Sequence, residues 1–461
     1  MGHPPTAVAP GSLRATLTDR AVPLAVVTLA GAAVVAGIWL AAPPVVLLAL
    51  AATPLALLYA YRAALPVLVV ALVARTVLDN SGNQLVTGGI AVGISALAVV
   101  VLVRSRGWTL PVLAITAFLF GSAFAGAGVH GGEHTYVEAL RVVSCLGVVV
   151  VVVNAPGHLT LRRVAHAVQA VALAPAVLAV VQLATGTGGL NNGVARSAGT
   201  LAHSNSAAVL FALANLATFA LVLDSNRRRW VHAGLLGLFL VAQVSTGSIG
   251  GLVTLVVMAC VYLASAAVRR ADRVLLGLLG VALAVYAAST SRIGAERFAE
   301  YSPDNTEGTS LDWRIHAWGS VLAAWRRNPV FGNGIGSAQS DSIIQGNIPH
   351  NEYVRLLAET GLVGLGLVVT LGVWLALRLR RRMHTARFPA AAAFGLAIVT
   401  GLAVNALAAN TMLYSVSFYV ALFAIGACWR ITNEPPPGPG EDLAPNGGRW
   451  VTDPVPKSPT R

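Results

Sequence analysis

The stretch Asn347–Leu377, "NIPHNEYVRLLAETGLVGLGLVVTLGVWLAL", joins a polar segment to a long uncharged run. About 20 consecutive apolar residues are enough to cross the hydrocarbon core of a bilayer as a helix. Because comparable runs recur along the chain and several are short, we expect about 12 to 14 transmembrane helices. The runs lie at 21–42, 44–60, 63–78, 87–103, 109–128, 137–153, 165–184, 205–223, 230–247, 249–267, 274–290, 360–377, 389–408 and 411–429.

The composition agrees with a membrane protein. Hydrophobic residues make up 56% of the chain and charged residues only 11%, whereas a soluble domain carries about 25% charged residues. The apolar runs lack the alternation of a β-barrel strand, so helices are the remaining way to satisfy the backbone in lipid. The sequence therefore predicts an all-α, polytopic integral membrane bundle with membrane lipids around it.

The loops that connect the apolar runs fall into two groups by their charge. Basic connections such as "NRRRW" and "RLRRRMHTAR" alternate with connections that lack basic residues, such as "DNSGNQ" and "STGSIGG". Cytoplasmic loops are enriched in Arg and Lys, so this alternation accounts for most of the net charge of +13 and leaves no reason to invoke a nucleic-acid partner. We expect a multi-pass protein of the cytoplasmic (inner) membrane with both termini inside.

This orientation predicts five segments along the chain. They are a cytoplasmic N-terminus (1–20), a transmembrane bundle (21–290), one large extracytoplasmic, periplasmic-side loop (291–359), three C-terminal transmembrane helices (360–429) and a disordered cytoplasmic tail (430–461), which is rich in Pro and Gly.

Arginines on the outer side run against the cytoplasmic bias and need a reason. Arg292 and Arg314 lie in the large loop, and Arg196 lies in a shorter external segment. A guanidinium holds phosphate oxygens in a two-pronged fashion, so one reading is anion recognition. The alternative is ordinary pairing with loop acids such as Glu296 and Glu300.

Two further features mark the loop. The run "LDWRIHAWGSVLAAW" predicts a helix with one face suited to the membrane interface; this face is formed by Ile315, Trp318, Leu322 and Trp325. The segment "NPVFGNGIG" is not a nucleotide-binding fingerprint. It is either a flexible turn or a point of close backbone approach to a substrate.

His350 stands between Pro349 and Asn351 at the end of the loop. Imidazole titrates near neutral pH and can take a proton from a hydroxyl, although a histidine at this place can equally be structural. Glu352, Arg355 and Glu359 are spaced three and four apart and share one helical face. We therefore expect Glu359 to pair with an arginine rather than to contact His350.

The remaining histidines show no metal-ligand spacing, and no order of residues indicates a covalent nucleophile. The sequence predicts neither a metal nor a cofactor.

Several of these motifs together resemble the O-antigen ligase and Wzy-type polymerase superfamily. The resemblance rests on Arg314 with Trp318, then "NPVFGNGIG", then "HNEYVRLLAETGLVG", and on the earlier "RSAGTLAHSN". It covers roughly 185–430. The first 180 residues are similar only in being hydrophobic helices.

The resemblance implies a GT-C-like enzyme. Such an enzyme transfers or polymerises a glycan from a polyprenyl-diphosphate donor onto an acceptor hydroxyl of a glycan, lipid or protein, outside the cytoplasmic membrane, without a metal and with inversion. It implies that His350 is the general base, that Arg314 holds the diphosphate and that Glu359 is the acid of the motif. The implied substrate-binding residues are Arg196, Asn205, Arg292 and Asn351.

The sequence departs from the family pattern at one point. A Ser-Arg-Gly-like step is usual at the mouth of a span, and the matching stretch here is "STGSIGG", with Ile249 in the place of the arginine. Either one contact to the diphosphate is missing or another residue supplies it, with Arg196 and Arg292 as candidates.

Two other functions remain. A multi-span transporter or lipid-linked glycan flippase is disfavoured because transporters place ionisable residues within their spans, and these spans are nearly free of charge. A peptidoglycan polymerase of the SEDS type has a similar layout but depends on a loop aspartate.

Overall fold

The computed structural model describes nine ranges: 60–81, 84–105, 132–191, 194–224, 228–265, 310–339, 341–344, 348–385 and 387–433. Several predictions concern residues outside these ranges. They are the predicted helices at 21–42, 44–60 (except Ala60), 109–128 and 274–290, the N-terminal segment 1–20, most of the C-terminal tail, and Arg292.

The described chain is helical apart from one short hairpin. Its helices are α1 (Ala64–Val77, after a 3₁₀ turn at Ala60–Ala63), α2 (Gln84–Ser105), α3 (Gly132–Asn154), α4 (Leu161–Thr185), α5 (Ser204–Asp224), α6 (Arg229–Ser245), α7 (Ile249–Leu263), α8 (Ser310–Trp325), α9 (Asp341–Ile344, after a 3₁₀ turn at Ser337–Gln339), α10 (Glu352–Thr385), α11 (Pro389–Asn405) and α12 (Ser415–Asn433). Antiparallel strands β1 (Gly189–Asn191) and β2 (Val194–Arg196) form the hairpin.

Six of these helices are long and apolar enough to cross a membrane. They are α2, α3, α4, α5, α10 and α12; three shorter apolar helices, α6, α7 and α11, accompany them. The prediction of a polytopic helical membrane protein is confirmed. The total of 12 to 14 spans stays a prediction, since four of the runs lie outside the described residues.

Helix α5 lies at the centre of the described bundle. It packs against α4, α6, α7 and α12, and it is buried on nearly every side. Small side chains face the neighbours along its length, which allows the backbones to approach closely without a polar contact. The buried alanines of α5 are Ala207, Ala208, Ala212, Ala214, Ala217 and Ala220.

Helix α10 is interrupted at Gly361, which adopts φ 65° and ψ −166°. The NPVFGNG loop, residues 328–334, fills the interruption. The N–H groups of Leu362 and Val363 donate to the carbonyls of Pro329 (3.0 Å) and Val330 (3.1 Å). The loop thereby satisfies backbone groups that a broken helix would otherwise leave without partners.

The same loop also bonds to the end of the first part of α10. The N–H groups of Asn333 and Gly334 donate to the carbonyls of Ala358 (2.8 Å) and Glu359 (2.9 Å). A Cβ on Gly332 would lie 2.4 Å from the Glu359 carbonyl carbon. The glycine-rich segment thus approaches the backbone of α10 closely; a close approach to a substrate stays a prediction.

The interruption divides α10 into two parts with different surroundings. Its 34 residues would span about 51 Å as one straight helix, more than the roughly 30 Å of hydrocarbon. The part before Gly361 carries Glu352, Arg355 and Glu359, whereas the part after it is uncharged as far as Leu377. The break therefore sets the polar start of α10 apart from its membrane span.

We predict that Gly361→Ala destabilises the protein by at least about 2 kcal/mol, since a Cβ there would meet the Val330 oxygen at 2.2 Å and an L-residue at positive φ is itself unfavourable. The midpoint of thermal unfolding in detergent measures the effect. Gly366→Ala is the matched control, because a Cβ at Gly366 meets nothing within 4 Å. Equal midpoints for the two variants would contradict the proposed packing at the break.

Candidate functional site

Arg196 connects three segments of the chain. Its Nε donates to the Thr246 carbonyl at 2.7 Å, and its Nη2 donates to Asn205 Oδ1 at 2.8 Å. The same Asn205 oxygen accepts from Ser248 Oγ at 2.9 Å. The two predicted residues of the "RSAGTLAHSN" motif are thus bonded to each other and to the turn between α6 and α7.

The backbone between Arg196 and Asn205 is held by the end of α4. Gly199 has φ 62°, and a Cβ there would lie 2.2 Å from the Pro175 carbonyl oxygen. Gln182 Oε1 accepts from the N–H groups of Ala198 (3.1 Å) and Gly199 (2.9 Å). The glycine of the motif is therefore required for packing, and Gln182 replaces the hydrogen bonds that a regular element would provide.

The end of α1 holds the next residues. Thr200 Oγ1 donates to the Thr76 carbonyl at 2.8 Å, and Asp79 Oδ2 accepts from the Ala202 N–H at 3.0 Å. The position of the motif thus depends on helices from the first 185 residues, where the sequence resembles the family only in hydrophobicity.

Ile249, which stands where the family pattern has an arginine, is the first residue of α7 and is 53% exposed. The residue before it, Ser248, is the N-cap, and its Oγ accepts from the Gly251 N–H at 3.2 Å. Arg196 brings a guanidinium to this same turn through Thr246 and Asn205. Whether Arg196 replaces the missing arginine or the contact is absent stays a prediction; the other candidate, Arg292, lies outside the described residues.

Helix α8 (Ser310–Trp325) forms over the run for which the sequence predicted a helix. Arg314 Nη1 donates to the Ala408 carbonyl at 3.3 Å, and Trp318 Nε1 donates to the Pro349 carbonyl at 2.6 Å. The first bond joins α8 to the turn between α11 and α12. The second fixes the peptide that precedes His350.

The predicted apolar face of α8 is not its buried face. Ile315 is exposed, and Trp318, Leu322 and Trp325 are half-buried. The residues that pack inward are the small Ala317, Val321 and Ala324. Hydrophobicity alone overrates large side chains when a helix packs closely against a neighbour, here α10. The membrane-interface position of the predicted face stays a prediction.

His350 has an unusual backbone conformation. It is the one described non-glycine residue with positive φ, at 52°. Its Nδ1 is buried and has no hydrogen-bond partner among the described residues. Strained residues of this kind persist only where the surroundings hold them, and they cluster at functional sites.

The ionisable groups that act on His350 come from two other parts of the chain, helix α8 and the segment before α5. Burial, followed by the positive charge of Arg314 and the influence of His203 and Arg196, lowers the pKa of His350 from 6.5 to about 4. A residue whose pKa is shifted by desolvation together with a specific nearby charge is a candidate for a functional role. At neutral pH the imidazole is uncharged, which is the form that can accept a proton.

Asn351 has a structural use. Its Oδ1 accepts from the N–H groups of Tyr353 (3.0 Å) and Val354 (3.1 Å), so Asn351 is the N-cap of α10. The cap begins the helix directly after His350. The prediction that Asn351 also binds substrate stays a prediction.

The predicted shared face of Glu352, Arg355 and Glu359 is confirmed. Arg355 Nη1 bonds Glu359 Oε2 at 2.7 Å, and its Nε donates to Glu352 Oε1 at 2.8 Å. All three side chains are at most 3% exposed. A buried charge is costly unless it is paired, so Glu359 is used here to neutralise Arg355, as expected.

Glu352 also links α10 to the turn that receives Arg314. Its Oε2 accepts from the Met412 N–H at 3.0 Å, and its own N–H donates to the Ala406 carbonyl at 2.9 Å. The start of α10 and the Ala408 carbonyl are therefore held in one unit.

The structure adds residues that the sequence did not indicate. Trp313 meets the His350 ring edge-on, with 6.0 Å between ring centroids, and the rings of His203 and Tyr414 are 6.2 Å apart. Trp313 is adjacent to Arg314 in the chain, but no spacing rule identifies a tertiary ring contact. Among the described residues, no three His, Cys, Asp or Glu side chains are grouped closely enough to hold a metal ion.

The fold defines a multi-pass membrane protein whose polar site is built from the ends of its helices. Over residues 192–369 the chain matches the sequence model of a family described as O-Antigen ligase. This match confirms the resemblance drawn from the motifs, and it includes Arg196, Asn205, Arg314, His350 and Glu359. No curated protein matches the chain.

An O-antigen ligase-like segment in a helical membrane protein supports a membrane enzyme that processes glycans in envelope biosynthesis. It supports a glycosyltransferase-like activity in general and implies a lipid-linked glycan substrate with an acceptor.

The strain at His350 gives a stability prediction. Glycine adopts positive φ without cost, whereas alanine does not. We expect His350→Gly to be more stable than His350→Ala by about 1 kcal/mol, after allowing for the entropy that glycine gains on unfolding. Thermal unfolding of the two variants in detergent measures the difference. Greater stability of the alanine variant would show that the left-handed conformation is wrong.

Proposed function

We propose that the protein transfers or polymerises a glycan from a polyprenyl (undecaprenyl- or decaprenyl-) diphosphate donor onto an acceptor hydroxyl. The observation that carries the proposal is the juxtaposition of a neutral, strained His350 with two arginines, Arg314 and Arg196, from distant segments of a membrane bundle. Each group has a role in displacement at a sugar carbon.

His350 is the proposed general base. The acceptor oxygen forms a bond to C1 of the donor sugar and loses its proton to the imidazole, and the bond between C1 and the diphosphate oxygen breaks with its electron pair leaving on the diphosphate. A displacement of this kind inverts the configuration at C1. Burial of the imidazole keeps it neutral and ready to accept the proton.

Arg314 and Arg196 are proposed to neutralise the departing diphosphate. Hydrogen bonds hold both side chains at the site: Arg314 donates to the Ala408 carbonyl, and Arg196 donates to the Thr246 carbonyl and to Asn205 Oδ1. Held in this way, each guanidinium is proposed to stabilise the negative charge that develops on the diphosphate in the transition state. This arrangement supports a reaction that needs no metal ion.

Glu359 is proposed as a positioning residue. Its ion pair with Arg355 stabilises the first part of α10, at whose start His350 lies. Asn205 is proposed to line the donor side through its bond to Arg196, and the predicted substrate contacts of Asn351 and Arg292 remain part of the proposal.

The proposed location is the cytoplasmic (inner) membrane, with the site on the extracytoplasmic face. The basic end of α10, which includes Arg378, Arg380, Arg381 and Arg382, supports a cytoplasmic position for that end by the excess of Arg in cytoplasmic loops. His350, at the other end of the same helix, is then on the outer side.

Substitution of the two central residues tests the proposal. His350→Ala should lower glycan transfer about 10²- to 10⁴-fold because it removes the base, and Arg314→Ala should lower it about 10²-fold or more because the leaving charge is no longer stabilised. Transfer is measured in membranes of a deletion strain that carries each variant at normal protein level.

The matched controls are His316→Ala and Arg327→Ala, two exposed residues of the same segment, and they should transfer normally. Full activity of His350→Ala would rule out the general base. The lipid-linked glycan that accumulates in the deletion strain separates the reactions: single repeat units indicate a polymerase and finished chains a ligase. Accumulation confined to the inner leaflet would instead indicate a flippase.

The lowered pKa of His350 gives a pH prediction. The neutral imidazole is the active form, and it is protonated only as the pH falls through about 4. The kcat/KM for transfer should therefore stay level from neutral pH down to about pH 5 and fall tenfold per unit below about pH 4. A fall that begins near the ordinary histidine pKa of about 6.5 would contradict the assignment.

A further inference from the structure

Trp313 lies near the edge of the buried side of α8, but its side chain is exposed. With about 100° of rotation per residue, its side chain falls within about 50° of the centre of the buried stripe formed by Ala317, Val321 and Ala324. Those three are at most 8% exposed, whereas Trp313 is 41% exposed. The stripe therefore ends at Trp313, where the packing against α10 gives way to open space.

The indole of Trp313 also contacts the imidazole of His350. Their ring centroids are 6.0 Å apart and the ring planes are inclined at 71°, so one ring presents its edge to the face of the other. This edge-on contact is a favourable arrangement for two aromatic rings. It leaves a large part of the indole available beside the imidazole.

Ile315 provides a contrast on the same helix. It is 55% exposed, but it lies about 200° around α8 from Trp313. An apolar side chain in that position faces away from the site. Exposure of Ile315 therefore fits a lipid or solvent surface, whereas Trp313 is exposed on the side of α8 that contacts His350.

We propose that Trp313 is the platform for the acceptor, and that the acceptor hydroxyl is carried by a sugar ring. This inference rests on the proposed function. The group that gives its proton to His350 must lie against the imidazole, whereas the donor diphosphate is directed to Arg314 and Arg196. The exposed ring that touches the imidazole is therefore on the acceptor side.

The chemistry of the indole favours a sugar. One face of a pyranose ring carries mainly C–H groups, which pack on an aromatic face, while its hydroxyls stay free for polar contacts. A rigid ring placed in this way presents one hydroxyl to the base and holds the others apart, which selects a particular acceptor hydroxyl. A flexible alkyl alcohol gains little from the same platform.

Steady-state kinetics of Trp313→Ala test the assignment. The assay uses the lipid-linked glycan that accumulates in the deletion strain as donor, and a glycan prepared from the same strain as acceptor. We expect the acceptor KM to rise about tenfold, with the donor KM unchanged. Trp313→Phe should restore most of the loss, and Ile315→Ala should match the wild type. With glycerol in place of the glycan acceptor, Trp313→Ala and the wild type should have the same acceptor KM.

Two results would overturn the platform. The first is an unchanged acceptor KM; if kcat falls at the same time, Trp313 only supports His350. The second is a rise in the donor KM of the same size, which would indicate a contact to the polyprenyl chain or the membrane. The proposed function fails separately: it fails if His350→Ala transfers normally, whatever Trp313→Ala does.

Discussion

The site depends on the left-handed backbone conformation of His350. Hydrogen bonds to the residues directly before and after it in the chain hold this conformation. On one side Trp318 donates to the Pro349 carbonyl; on the other, Asn351 caps α10 and fixes the direction in which the chain leaves. Without these two constraints the residue would be free to relax to negative φ, which a residue with a Cβ prefers. The strain of one residue is thus offset by two ordinary hydrogen-bonding arrangements.

The arginines of the site are divided into two kinds by their partners. Arg355 is buried between two glutamates, so its charge is used within the fold. Arg314 and Arg196 donate to carbonyl and carboxamide oxygens. Arg355 thereby stabilises the start of α10, whereas Arg314 and Arg196 act on His350, whose pKa their positive charges lower. A histidine in such surroundings stays neutral, and an anion bound there would reverse the effect.

The sequence was sufficient for the helices and for contacts within one helix. Apolar runs located α2 to α5, and the three- and four-residue spacing predicted the Arg355 pairs, because both depend on local periodicity. It was not sufficient for the bond from Arg196 to the turn at Thr246, for the filled break at Gly361 or for Trp313 beside His350. These depend on which segments meet in the fold, and no spacing along the chain encodes that. Nor did the sequence indicate that α8 packs against α10 through its small residues, Ala317, Val321 and Ala324.

The most direct test of the account is the pKa of His350 measured by nitrogen-15 histidine NMR in detergent, with His350→Gln to assign the signal, before and after addition of undecaprenyl diphosphate. We predict a pKa of about 4 in the free protein and a rise of one unit or more with the diphosphate, because the anion offsets the charges of Arg314 and Arg196. A pKa that does not move when the diphosphate binds would contradict a shared site for the base and the leaving group.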